Sequence, residues 1–88
     1  MNESAELLKE VEFVKRSKYK TNVLKSLNEG VKIPTTLAKD TGILTNHISA
    51  VLVRLKDSGL VECINPEVRK GRLYRLTDKG RKVVEKLE

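Results

Sequence analysis

The chain has 88 residues, a single cysteine and a formal net charge of +6. That length makes one small domain, which buries about 60–65% of the surface its unfolded form exposes and leaves no room for a deep substrate pocket. No apolar run approaches the ~18 residues that span a bilayer, and no basic segment leads into an apolar stretch, so a cytoplasmic protein is expected.

Cys63 alone rules out an intrachain disulfide, and with His47 far from it in sequence it supports no metal site; the expected role is a buried or half-buried strand residue. There is no Gly-rich phosphate loop and no pairing of nucleophile with base, so neither an enzyme nor a bound cofactor is indicated. The charge is unevenly placed. The first twelve residues set Lys9 against Glu3, Glu6, Glu10 and Glu12, a net −3 that leaves +9 on the rest. A basic body favours a polyanionic partner, although a solvated positive surface has the same sum.

In chain order, Ser4 is placed to cap a first helix, over residues 1–16, on which Leu7, Leu8, Val11 and Val14 share a face. Phe13 points elsewhere and marks a bend or an end nearby. Ser17 caps a second helix that carries Val23, Leu24 and Leu27 inward and stops at Asn28-Glu29-Gly30, with Gly30 suited to a left-handed position. Lys18 and Lys20 at its start suit a phosphate or open solvent equally. A short strand at Val31 to Ile33 is possible. The stretch "PTTLAKDTG" is a short third helix with Leu37 and Ala38 inward and Gly42 as terminator.

Thr45 then caps a fourth helix that runs to about Ser58 and is closed by Gly59. Ile48, Val51, Leu52 and Leu55 follow the i, i+3, i+4, i+7 rule and face the core. The other side carries Asn46, His47, Ser49, Ala50, Val53 and Arg54, and the helix's only acid, Asp57, lies at its far end. A solvated helix ordinarily interleaves Glu with Lys for i, i+4 pairing; this one does not.

Two strands follow, Leu60 to Ile64 and Arg72 to Leu76, joined by a loop with Pro66, Arg69, Lys70, Gly71 and Arg72 against the single acid Glu67. Alternation puts Leu60, Glu62 and Ile64 on one face and Val61 and Cys63 on the other, so the inward face stays unassigned. Tyr74 is expected to pack within the second strand. Thr77 caps a last helix, over residues 77–88, with Val83, Val84 and Leu87 inward and Gly80 allowing close packing.

The whole is an α+β architecture, mostly α. The segments "TLAKDTGILTNHISAVLVRLKDSGLVE" and "GRLYRLTDKG", which together span Thr36 to Gly80, resemble the winged helix-turn-helix transcriptional regulators, in particular small archaeal-type members similar to MarR-type and ArsR-type repressors. The resemblance implies one winged helix domain over residues 1–88, with its core helices and wing in residues 17–80. It implies that Thr45 to Ser58 is a recognition helix for the major groove, which is roughly 12 Å wide and admits one α-helix.

Thr45, Asn46, His47 and Ser49, near the start of that helix, are then the base-reading positions. Ala50 is small enough to approach a thymine methyl, and Arg54 is placed for phosphate. Arg69, Lys70 and Arg72 of the wing, Pro66 to Arg72, would meet the backbone or the adjacent minor groove. The expected partner is double-stranded DNA. The sequence departs from both relatives, lacking the extra helices of MarR-type dimers and the cysteine-rich metal site of ArsR-type sensors.

Leu7, Leu8, Val11 and Val14 are either core or a subunit contact; a homodimer through them, with part of the Val83, Val84 and Leu87 face, is the expectation, because the core helices and hairpin supply enough inward residues without the first helix. The rival reading is a winged helix used for protein interaction within a transcription or replication assembly. Double-stranded RNA ranks third, since its deep, narrow major groove excludes a helix.

Overall fold

The computed structural model describes residues 3–87. Five helices and a two-stranded antiparallel sheet follow in the order α1 (Glu3–Lys15), α2 (Lys18–Leu27), α3 (Pro34–Thr41), α4 (Thr45–Asp57), β1 (Val61–Cys63), β2 (Tyr74–Leu76) and α5 (Asp78–Leu87). This is the mostly helical winged architecture that the sequence implied.

Helix α1 already includes Glu3, so Ser4 lies inside it and the helix starts earlier than a Ser4 cap would allow. Val11 and Val14 are buried, Leu7 packs against the core from its edge, and Leu8 faces solvent at 60% exposure. The expectation that this stripe is spare and faces a second copy is corrected here for Val11 and Val14. On α5, Val83 and Val84 are buried as well, because α1 packs on α5 and each helix supplies the other's apolar cover. Helix α1 packs on both α5 and α2 and buries Val11 and Val14 there, so the first helix is part of the core.

The turn into α2 is held by polar side chains. Ser17 is extended, and its Oγ accepts the Lys20 amide at 3.2 Å, which satisfies a first-turn donor of α2. Thr21 Oγ1 donates back to the Val14 carbonyl at 3.1 Å. Lys20, read as a surface or phosphate-facing cation, is instead only 9% exposed, with its ammonium 3.7 Å from the centroid of the Phe13 ring. Phe13 thus covers the start of α2, and α1 ends two residues beyond it, at Lys15, as expected.

Helix α2 ends at Asn28 in right-handed geometry, and the positive φ of 145° falls two residues later at Gly30. The strand expected at Val31 to Ile33 shrinks to one antiparallel bridge: the Lys32 N–H donates to the Tyr74 carbonyl at 3.0 Å, and the Lys32 carbonyl accepts the Tyr74 amide at 2.9 Å. Pro34, which has no N–H to extend a ladder, turns the chain into α3.

Lys32 also reaches Asp40 at 2.6 Å, Glu29 at 2.7 Å and Ser26 Oγ at 2.8 Å, joining α2, the bridge and α3. Burial alone would lower the Lys32 pKa, but hydrogen bonds to Asp40 and Glu29, and their charges, raise it. The same hydrogen bond holds the Asp40 carboxyl below its usual range.

Gly42, with φ 74°, donates to the Ala38 carbonyl at 2.9 Å and ends α3. Thr45 is the first residue of α4 and does not cap it: Leu44 takes the extended cap geometry, and no side chain bonds to the first-turn amides. The correction follows from the short α3–α4 link, in which the residue that must be extended is Leu44.

At its other end α4 closes in a Schellman motif. Gly59, at φ 78°, donates to Lys56 O, and Leu60 donates to Leu55 O, each at 2.9 Å, while Leu55 and Leu60 are both fully buried. In β1 and β2, Val61 opposes Leu76 and Cys63 opposes Tyr74 on the inner side. Glu62 and Arg75 oppose each other outward and pair at 2.7 Å. This settles the inward face: Val61 and Cys63 point in, and Leu60 is buried because it belongs to the helix end before the strand starts.

Thr77 caps α5 as expected, its Oγ1 accepting the Gly80 amide at 3.0 Å while donating to the Gly59 carbonyl at 2.6 Å. Gly80 is buried, and a β-carbon there would run into the backbone carbonyl of Leu60. Backbone cannot move aside as a flexible side chain can. We therefore expect Gly80→Ala to destabilise the fold by about 1–3 kcal/mol, read as a lowered denaturation midpoint; an unchanged midpoint would show that α5 does not need this close approach.

Candidate nucleic-acid interface

The core-facing residues of α4, Ile48, Val51, Leu52 and Leu55, are all buried. Asn46, Ala50 and Val53 lie opposite them and are exposed, flanked by His47 and Arg54 on one side and Thr45 and Ser49 on the other. All six positions named from the sequence on this helix therefore reach one outward surface. Asp57 is exposed at the last residue of α4, away from that first turn.

The chemistry of each position is specific. Ser49 Oγ donates back to the Thr45 carbonyl at 3.4 Å, so its hydroxyl proton is engaged within the helix while the oxygen stays open as an acceptor. Asn46 makes no side-chain hydrogen bond among the described residues, which leaves both its amide donor and its carbonyl acceptor available. His47 lies beside Tyr19 of α2, ring centroids 5.7 Å apart and tilted by 33°. Because no side chain caps α4, the Thr45 and Asn46 amides are left for water or an anion, while the His47 amide donates to the Leu44 carbonyl at 2.9 Å.

The wing is ordered by one asparagine. Asn65 Oδ1 accepts the Leu73 amide at 2.7 Å, and Asn65 Nδ2 donates to the Gly71 carbonyl at 3.2 Å, so the side chain replaces the ladder rung that would follow β1. This shortens both strands relative to the runs read from sequence. Gly71 takes φ 73°, which lets the loop turn back.

Arg72 is exposed but folded over the loop, with Nε donating to Val68 O at 2.7 Å and a terminal nitrogen to Pro66 O at 3.2 Å. Part of its donor set thus holds the wing's own carbonyls. Arg69 and Lys70 at the tip are exposed and make no hydrogen bond or ion pair among the described residues.

The ion-paired acids lie elsewhere, while Glu67 in the wing and Asp57 at the end of α4 are exposed. Glu29 and Asp40 pair with Lys32, Glu62 with Arg75, Glu10 with Lys79 and Asp78 with Arg81. None of these pairs includes Arg54, Arg69 or Lys70.

Residues missed in the sequence complete the surface. Leu44, 67% exposed, is the cap residue before α4, and Tyr19, 43% exposed, flanks the helix. Asn65 precedes Pro66, and the Asn-Pro pair is a turn signal that could have identified the wing's organiser. No equivalent signal identifies Tyr19, since its contact with His47 joins two helices.

With a tight α3–α4 link, an outward α4 and a hairpin leaving its end, the comparisons with known proteins settle the family. A winged helix-turn-helix family profile matches residues 15–88. The chain belongs to the winged helix-turn-helix family. The crystal structure of NadR in complex with 4-hydroxyphenylacetate superimposes with a TM-score of 0.71 at 21% sequence identity, over 96% of this chain and 64% of that one. At that identity the likeness is one of fold, and this winged helix chain spans less than two-thirds of NadR's length. No curated protein matches the sequence. Among the described residues, no helix is long and apolar enough to cross a membrane.

If Asn65 organises the wing, Asn65→Ala should speed hydrogen exchange at the Leu73 amide about fivefold, the loss of a hydrogen bond worth about 1 kcal/mol, while the global melting temperature holds nearly constant. Unaltered exchange at Leu73 would mean that the loop is held by other bonds.

Proposed function

We propose that this winged helix protein is a sequence-specific double-stranded DNA-binding transcriptional regulator, and not an enzyme. In this reading α4 lies in the major groove with Thr45, Asn46, His47, Ser49 and Ala50 toward base edges and Arg54 toward phosphate, while Arg69 and Lys70 of the wing meet the backbone or the minor groove. The observation that carries it is the outward face of α4: exposed, polar and unpaired over its first two turns, with every ion-paired carboxylate committed elsewhere in the molecule.

Arg72 has a double assignment here. Two of its nitrogens hold the wing's carbonyls, and the rest of its guanidinium remains available to phosphate.

The proposal includes a two-fold dimer and narrows the residues that form it. Val11, Val14, Val83 and Val84 are buried in the protein's own core, which leaves Leu8, with the exposed part of Phe13 and the edges of Leu7 and Leu87, as the apolar surface for a second copy. Two recognition helices would then meet half-sites about one helical turn apart, roughly 34–36 Å.

The rival reading, a protein-interaction module, draws on one observation. Leu44 and Val53, 58% exposed, put apolar surface beside the same face. Asn46, His47 and Arg54 interrupt that surface, and the free cations of the wing tip favour a polyanion.

Selection from random duplexes, followed by binding at several salt concentrations, tests the assignment. Affinity should fall steeply with salt, and Arg69→Ala or Lys70→Ala should weaken all sequences alike and reduce the salt slope by about 1. Asn46→Ala should cost about 1–3 kcal/mol of discrimination at one base position. Recovery of no preferred sequence, with equal losses for all three variants, would remove the sequence-specific reading.

A further inference from the structure

On the duplex-binding reading of α4, we propose that Tyr19 of α2 is the positioning residue for His47 and so sets discrimination at the base pair that His47 meets. His47 is the third residue of α4, exposed, and its imidazole makes no hydrogen bond among the described residues. A histidine in that situation on a free helix surface samples several rotamers, and each carries the ring nitrogens to a different place. A base edge read by one nitrogen needs one of those placements.

Tyr19 supplies the constraint. Its ring centroid lies 5.7 Å from that of His47 at an interplanar angle of 33°, within the separation that aromatic pairs favour. The contact blocks part of the imidazole's rotation from one side and leaves its other edge toward solvent.

Tyr19 is itself well placed to hold still. It is the second residue of α2, between the Ser17 cap, whose Oγ accepts the Lys20 amide, and Lys20, whose ammonium rests on the Phe13 ring. Base selection by α4 therefore depends on a helix outside the recognition element. The Tyr19 hydroxyl makes no hydrogen bond among the described residues, so the ring and the hydroxyl can be tested separately.

The test uses the full chain and the duplex selected by it. Tyr19→Ala should reduce the preference at one base pair by about three- to tenfold, the range expected of one aromatic pair, with the other positions and the salt slope unchanged. His47→Ala should lose the same preference, and the double variant should lose no more than His47→Ala does. Tyr19→Phe, which keeps the ring, should restore it.

In the free protein, NMR couplings and ring-current shifts should report one dominant His47 rotamer in the wild type and Tyr19→Phe, and averaging in Tyr19→Ala. Retained preference in Tyr19→Ala, an equal loss at every position, or Tyr19→Phe behaving like Tyr19→Ala would overturn the role while leaving the duplex-binding reading intact. A wild type without sequence preference would overturn both.

Discussion

The carbonyls of Gly59 and Leu60 are where α4, the wing and α5 meet, and the interface depends on how that junction is closed. Gly59 ends α4 in a left-handed conformation, which frees its carbonyl for Thr77 Oγ1, while the Leu60 carbonyl accepts the Thr77 amide at 3.0 Å. The same carbonyl faces Gly80 too closely to admit a β-carbon. Thr77 therefore caps α5 and locks the exit of α4 at one residue, and the two strands begin from a fixed direction. Rigidity at the base of the wing matters because its tip is held only locally, by Asn65 and Arg72.

Much of this was readable from the chain because local chemistry and long-range packing agree. The apolar spacing of Ile48, Val51, Leu52 and Leu55, the glycines at 42 and 59 and the Thr77 cap each act within a few residues, and each stands where the sequence placed it. Less is legible where the outcome depends on contacts distant in sequence. Val11 and Val14 have the same pattern whether they face α5 or a second copy, and only the packing of α1 on α5 decides between them. Lys20 reads as a surface cation until Phe13 from the preceding helix covers it. The third strand stops at one bridge for a local reason, since Pro34 has no N–H with which to extend a ladder.

At the candidate site, exposure of the α4 positions followed directly from helical periodicity. The division of labour among the wing cations did not. Arg69, Lys70 and Arg72 are equivalent in composition, and only the fold shows Arg72 spending two donors on Val68 and Pro66 while the other two stay free. Charge accounting gives the same picture at the scale of the molecule. Among the described residues Lys32, Arg75, Lys79 and Arg81 find carboxylates, whereas Arg54, Arg69 and Lys70 on the outward side of α4 and the wing tip pair with none.

The most direct test of that picture is a residue-resolved NMR titration of the labelled protein with the selected duplex at moderate salt. Amide shifts should change across Thr45 to Arg54 and across Val68 to Arg72, with little change at Leu8 or Phe13 on α1. Shifts confined to α1 and α5, with the outward side of α4 silent, would contradict the account.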